Sequence, residues 1–243
     1  MTEDEIGLTL TSLPWLGGWN YHLLQILFHL LPHRLTTDSI FEFLVSNSLA
    51  GTWIFAACFY WYWSQEDDKT SRRRQKLFQV VIAIAVVFLL TLLIRPWVAW
   101  PAPAQNPSFR DLYPAYFWGN GTFDSFPSHS TLAYFAVAVG LWTFNRVLSL
   151  VLALLVLGLV SIPRIYLGGH YPIDVAASIV LAIAAVTLIQ QCKLPGAIAE
   201  WLVRRGSGTA VREFLFMFWI FELGEGFRGS ISFLMKVKRL LPH

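Results

Sequence analysis

Residues 77–95 contain only two polar side chains, Gln79 and Thr91, before Arg95 closes the run. A helix needs about 20 apolar residues to cross the ~30 Å hydrocarbon core of a bilayer. This run has the length, and it is apolar around its whole circumference, unlike a helix that turns one face to water. Four further segments repeat the pattern, at 40–63, 130–145, 147–163 and 175–191. Composition agrees, since 56% of the 243 residues are hydrophobic and 14% charged, against about 25% charged in soluble domains. The expected fold is therefore all-α: a polytopic membrane helix bundle with five to six transmembrane helices. The sixth candidate is 15–32, where Asn20, His22, Gln25 and His29 interrupt the pattern. His22 and His29 are seven apart and share a face. That favours an interfacial or re-entrant amphipathic helix, with a spanning helix as the rival.

Three regions follow: an N-terminal interfacial helix within 1–37, a transmembrane core over 38–192, and a basic, aromatic tail over 193–243 that is cytoplasmic or interfacial. The opening Met-Thr-Glu-Asp-Glu is acidic where a signal peptide is basic, so the first internal span is expected to direct insertion. The net charge of +3 comes from basic residues that flank apolar runs. That scatter does not suggest a nucleic-acid partner. Cys58 and Cys192 have no metal-ligand spacing and read as small buried hydrophobes. His22, His29 and His33 read as interfacial polar residues with no carboxylate or Cys partner at ligand spacing.

Orientation follows from lysine and arginine counts in the loops. Lys69, Arg72, Arg73, Arg74 and Lys76 precede the second span, Arg146 lies in the hairpin turn, and Lys193, Arg204 and Arg205 follow the fifth. All fall on one face, expected to be cytoplasmic. The other face carries the long loop 96–128 and the short loop 164–174, with Arg95, Arg110 and Arg164. Span-end arginines either snorkel to headgroups or serve a site, and the two readings weigh equally. The loop aromatics Trp97, Trp100, Tyr113, Tyr116, Phe117 and Trp118 fit a lipid entrance or an interfacial belt equally well. Asn120-Gly121-Thr122 reads as a turn before it reads as a glycosylation sequon.

On this second face four span ends carry polar chemistry. Arg95-Pro96 ends the second span, Pro127-Ser128-His129-Ser130 opens the third, Arg164 ends the fourth, and His170 to Asp174 open the fifth. Two of those ends are helix N-termini, where backbone N–H groups and the dipole favour an anion. Arginines add bidentate donors that match phosphate. His170 is suited to attack phosphorus, Asp174 to orient it, and His129 to protonate a leaving oxygen.

These residues resemble the membrane-bound type 2 phosphatidic acid phosphatase superfamily, whose motifs read K-x6-R-P, P-S-G-H and S-R-x5-H-x3-D. Arg95-Pro96, Pro127-Ser128-His129 and Arg164-x5-His170-x3-Asp174 match in order, and the likeness covers about 38–191. It implies a phosphohistidine on His170, activation by Asp174, His129 as general acid, and phosphate binding by Arg95, Arg164, Ser128 and Ser130. No metal and no cofactor are expected. It further implies a membrane lipid phosphate as substrate, a polyprenyl pyrophosphate or a phospholipid phosphate, and a bacterial inner-membrane enzyme with an extracytoplasmic site; the compact chain, with no large extracytoplasmic insert, leans toward the polyprenyl pyrophosphate. Phosphotransfer on the same scaffold and non-catalytic lipid binding are the alternatives.

The sequence departs from the family pattern at three places. Phe88 stands where the motif lysine belongs, leaving Arg110 as a possible substitute contact. Pro-Ser-Gly-His has become Pro127-Ser128-His129-Ser130. A one-residue deletion, which aligns His129 with the acid, is favoured over the gapless alternative, which puts Ser130 there. Pro163 replaces the serine before Arg164.

Overall fold

The structure, a computed structural model, describes residues 14–47, 53–65, 68–94, 101–117 and 125–192, with 196, 197 and 200. Seven helices order these residues: α1 (Pro14–Leu30), α2 (Leu35–Ser46), α3 (Trp53–Ser64), α4 (Thr70–Ile94), α5 (His129–Leu141), α6 (Arg146–Tyr166) and α7 (Pro172–Gln191). No strand occurs among the described residues. Thr70–Thr91, Arg146–Tyr166 and Pro172–Gln191 are long and apolar enough to cross a bilayer, and α5 is a shorter apolar helix. The chain is an all-α membrane helix bundle.

The run 40–63, expected as one span, is two helices of 12 residues each. α2 ends at Ser46 and Asn47 is extended, with φ −102° and ψ 103°. Asn leaves a helix readily because its side chain competes for backbone groups. Each half is about 18 Å long, short of the bilayer core. Residues 48–52 lie outside the described residues.

α6 changes geometry along its length. Its Val156–Ser161 turn is π-helical, immediately before Pro163. A proline inside a helix removes one N–H and crowds the carbonyl four residues earlier; the wider turn relieves that crowding. α3 ends against basic residues at the start of α4. Arg73 Nε donates to the Tyr62 carbonyl at 2.7 Å and Arg74 Nε to the Trp63 carbonyl at 3.3 Å. Cations suit the negative end of a helix.

Two cores result. The bundle core draws Phe55 and Trp63 from α3, Leu77 from α4, Leu132 from α5, Val156 from α6 and Val186 from α7. α4 and α5 approach closely at Gly140, where an added Cβ would fall 2.2 Å from Val80 Cγ2. Ser149 Oγ donates to the Ala138 carbonyl at 2.7 Å, a polar tie between α5 and α6. The second core joins α1 and the turns Pro103–Gln105, Pro107–Leu112 and Ala115–Phe117 to the end of α6 and the start of α7. Leu24, Phe109, Tyr113, Phe117, Ile165 and Tyr171 build it. With α2, which packs on the last turn of α6, these segments form a cap over that end. Tyr113 and Phe117 are thus buried here. Cys58 is half-buried beside the bundle core, but Cys192 is exposed just past α7, contrary to expectation.

Candidate active site

His170 sits on the loop between α6 and α7, its side chain 19% exposed. The loop is set by a glycine turn. Gly168 has φ +73°, the left-handed region that L side chains avoid, and its N–H donates to the Ile165 carbonyl at 3.0 Å. Gly169 N–H then donates to the Arg164 carbonyl at 2.9 Å. An added Cβ on Gly168 would meet Ala104 Cβ at 2.4 Å, so only glycine permits this approach of loop and cap.

The imidazole is held from the segment before α5. His170 Nδ1 lies 2.6 Å from the Ser125 carbonyl. A carbonyl only accepts, so Nδ1 carries the proton and Nε2 holds the lone pair of the neutral ring. Asp174 is 3.8 Å from the same nitrogen, beyond hydrogen-bond range. Its Oδ2 instead accepts from Tyr171 N–H at 2.8 Å and caps α7. Asp174 is fully buried, and its Oδ1 has no hydrogen-bond partner among the described residues. Orientation of His170, expected from the carboxylate, comes from a backbone carbonyl.

The N-terminus of α7 is not the anion cradle expected from the sequence. Pro172 has no N–H. Tyr171 N–H goes to Asp174, and Ile173 N–H goes to Asn20 Oδ1 of α1 at 3.2 Å. Those donors are spent on capping. At α5, by contrast, the N-cap Ser128 makes no side-chain cap bond.

His129 is the first residue of α5. Its Nε2 is 3.1 Å from Thr91 Oγ1 near the end of α4, and its ring stacks on Phe88 with centroids 5.1 Å apart. The aromatic ring at the motif-lysine position thus packs on the candidate acid. Ser128 is fully buried, and its Oγ lies 2.9 Å from Thr131 Oγ1, which lies 3.0 Å from Ser161 Oγ. That hydroxyl chain binds α5 to the π-helical turn of α6; it occupies Ser128, expected to bind phosphate. Ser161 places a hydroxyl near the end of α6, where Pro163 has displaced the motif serine. Ser130 is half-buried on the first turn of α5. Arg164 lies on the last turn of α6 and donates from Nη1 to the Val160 carbonyl at 3.1 Å. Contacts from α4 to α5, α5 to α6 and Ser125 to His170 therefore gather the four span ends. Arg95 and Asn120-Gly121-Thr122 lie outside the described residues, as does the Arg110 side chain, whose backbone is in the Pro107–Leu112 turn.

Sequence reasoning missed a polar node in the cap. Asp38 of α2 is buried. It accepts from Tyr166 OH at 2.6 Å and from Tyr116 OH, and lies 3.2 Å from His33 Nδ1. His33 was expected to have no carboxylate partner; the five-residue separation brings Asp38 to it across the α1–α2 link. Burial raises the Asp38 carboxyl pKa, but the hydrogen bonds from Tyr116, Tyr166 and His33 outweigh it, and the net shift is downward. The Asp38 bond and charge push Tyr116 up to about 12. His22 and His29 stay exposed on α1.

Residues 76–195 match the family model of the PAP2 superfamily. An integral membrane bundle with this segment as its core is a lipid phosphatase of the PAP2 type. Over that segment the chain is similar to the superfamily. Undecaprenyl-diphosphatase BcrC of Bacillus subtilis (strain 168) is 26% identical over 170 residues, 68% of this chain and 79% of the relative. No solved structure gives a match.

Proposed function

We propose that the chain hydrolyses the terminal phosphate of a polyprenyl pyrophosphate through a phosphohistidine on His170. The observation that carries this reading is the fixed tautomer. The Ser125 carbonyl accepts a hydrogen bond from Nδ1–H, so Nε2 is the nucleophilic nitrogen, on a ring that is part-exposed. Nε2 attacks the terminal phosphorus, and the bond from that phosphorus to the bridging oxygen breaks. His129 protonates that oxygen as the lipid monophosphate leaves. Water then attacks the phosphorus, the P–N bond breaks, inorganic phosphate departs, and His129 takes the proton from the water. While the phosphohistidine exists, its Nδ1-protonated ring is positive. The buried Asp174 carboxylate, 3.8 Å away, offsets that charge. Arg164 and Arg95, with Ser130 and the amides opening α5, bind the phosphoryl oxygens, and Arg110 takes up the lysine's contact.

The likeness to an undecaprenyl-diphosphatase supports the pyrophosphate substrate. The charge distribution supports an extracytoplasmic site in a bacterial inner membrane. Lys76 Nζ approaches the Gln190 carbonyl at 3.5 Å, so the basic end of α4 lies beside the C-terminal end of α7, and His170 precedes the opposite end.

Phosphate release from detergent-purified protein in the presence of EDTA tests the reading. Undecaprenyl pyrophosphate, phosphatidylglycerophosphate and phosphatidic acid are offered, with His170→Ala alongside. Fastest release from the pyrophosphate, and loss in the mutant by about 10³-fold or more, is expected. No release by folded wild type, or release that survives His170→Ala, would overturn the mechanism. A preference for either phospholipid would overturn only the substrate.

A further inference from the structure

Asp38 has no part in the proposed reaction, yet it is 4% exposed and three side chains converge on it. They come from three separate segments: His33 from the α1–α2 link, Tyr116 from the Ala115–Phe117 turn, and Tyr166 from the last turn of α6. A buried carboxylate is costly unless its oxygens are satisfied, and an apolar side chain would fill the place more cheaply. What this node holds is informative. Tyr166 is fully buried and lies two residues beyond Arg164 and four before His170.

The cap grips the same stretch at each further turn. Tyr113 OH donates to the Ile165 carbonyl at 3.0 Å, and Ala104 N–H donates to the Gly168 carbonyl at 3.2 Å. Asn106 Nδ2 donates to Tyr171 OH at 2.9 Å, and Asn20 Oδ1 accepts from Ile173 N–H. Among these grips Asp38 supplies the carboxylate, and through Tyr116 it joins α2 to the loop that supplies Ala104, Asn106 and Tyr113, while Asn20 comes from α1. The segment from Arg164 to His170 has only the last residues of α6 and a glycine loop of its own, so its placement comes from outside.

We propose that Asp38 is a positioning residue. Through Tyr166 and Tyr116 it fixes the last turn of α6 against the cap, and so fixes Arg164 and His170 relative to the phosphoryl group. The proposal rests on reading His170 as the nucleophile and Arg164 as a phosphate ligand.

The test uses the full chain in detergent micelles, as wild type, Asp38→Ala, Asp38→Asn, Tyr166→Phe and the Asp38→Ala/Tyr166→Phe double variant. Two quantities are read: steady-state kinetics on undecaprenyl pyrophosphate, and amide hydrogen exchange by mass spectrometry. Misplacement of reacting groups by about 1 Å costs up to ~10²-fold. Asp38→Ala and Tyr166→Phe should therefore each lower kcat about ten- to a hundredfold with KM within about threefold. Asp38→Asn, which keeps one acceptor oxygen, should fall between. The double variant should be no worse than the worse single, because both remove the same link. Exchange should quicken at 164–173 and leave α4, α5 and the rest of α7 unchanged. Wild-type kcat in both single variants, additive losses in the double, or faster exchange throughout the bundle would each overturn the proposal. If wild type releases no phosphate, the proposed reaction fails by itself. The exchange pattern then decides for or against positioning: local and non-additive supports it, absent or global overturns it.

Discussion

The bundle core and the cap core differ in what holds them. Phe55, Trp63, Leu77 and Leu132 pack in the bundle as a cluster of apolar and aromatic side chains. Among its polar exceptions Ser149 bonds to Ala138, Thr131 to Ser161 and Gln79 to the Ile189 carbonyl, each tying one helix to another. The cap has an apolar cluster too, but Asp38, His33, Asn20, Asn106 and the hydroxyls of Tyr113, Tyr116, Tyr166 and Tyr171 thread it. Lipid tails are as apolar as leucine, so helices in a bilayer associate by close packing and a few hydrogen bonds. That suffices to bring helix ends together. It does not fix the rotation of a loop side chain, which needs directional bonds. In this chain the bundle sets which ends meet, and the cap and the Ser125 carbonyl set how His170 and Arg164 are turned.

Gly168 is where breaking the cap should cost most. Gly168→Ala places a Cβ 2.4 Å from Ala104 Cβ at φ +73°. A non-glycine residue in the left-handed region costs about 1–2 kcal/mol before any clash. The loop must shift, and His170 shifts with it. We expect kcat to fall by about 10²-fold or more, with cooperative unfolding of the bundle nearly unchanged. Thermal unfolding by circular dichroism and phosphate release, measured on one sample, check both halves.

The converse variant strikes the bundle. Leu77 is fully buried near the basic end of α4, far along the helix from Thr91 and His129. Leu77→Ala should cost about 2–5 kcal/mol of stability and leave kcat per folded molecule within about twofold. Denaturation in mixed micelles with active-fraction titration measures this. A large fall in kcat would show that bundle packing also orients the site, and would erase the distinction.

Much of the bundle was readable because a lipid-facing helix is apolar all round. Residues 147–163 and 175–191, and 77–94 of the run that closes at Arg95, each fall within a helix of the structure. The order and spacing of Arg164, His170 and Asp174 also put them at the ends of α6 and α7. What was not readable is non-local or has no side-chain signal. Hydropathy does not encode helix continuity, so the stop at Asn47 was invisible inside an apolar run. The acceptor for His170 is a backbone carbonyl, which any residue at 125 supplies. Ile173 is capped by Asn20 from 153 residues away, and Asp38 meets Tyr116 and Tyr166 across 78 and 128 residues. The local hint was His33 and Asp38, five apart. Five apart is not a metal-ligand spacing, but a hydrogen bond needs none.

Asp174 separates the two cores within one residue, since it caps a bundle helix and also lies beside the nucleophile. If Ser125 does the orienting, Asp174→Asn keeps both an N-cap acceptor and the His170 tautomer, and loses only the charge that offsets the phosphohistidine. The expected loss in kcat is about tenfold, one order of magnitude for about 1.4 kcal/mol, far below that of His170→Ala. A trapped phosphohistidine should still form, more slowly. Loss equal to His170→Ala would show that the carboxylate, not the carbonyl, governs the ring.

The smallest effect expected is a pH dependence confined to the cap. The Asp38 carboxyl is held below its ordinary value of about 3.9. Its contribution to stability is therefore fully present above pH ~4 and is lost as pH falls through the depressed value. Tyr116 runs the other way. Its hydroxyl is pushed up to about 12 by Asp38, while an unfolded tyrosine ionises near pH ~10. Between those values the folded cap binds the extra proton, so its contribution is present below pH ~10 and fades as pH rises toward 12. Hydrogen exchange, corrected for the intrinsic rate at each pH, should show 164–173 losing protection at both extremes while α4 and α7 keep theirs. In Asp38→Asn the acid limb should vanish and the alkaline limb shrink, because the carboxylate that lifts Tyr116 above its unfolded value is gone. An acid limb that persists in Asp38→Asn would assign the titration to another group and remove Asp38 as the charge that holds the cap.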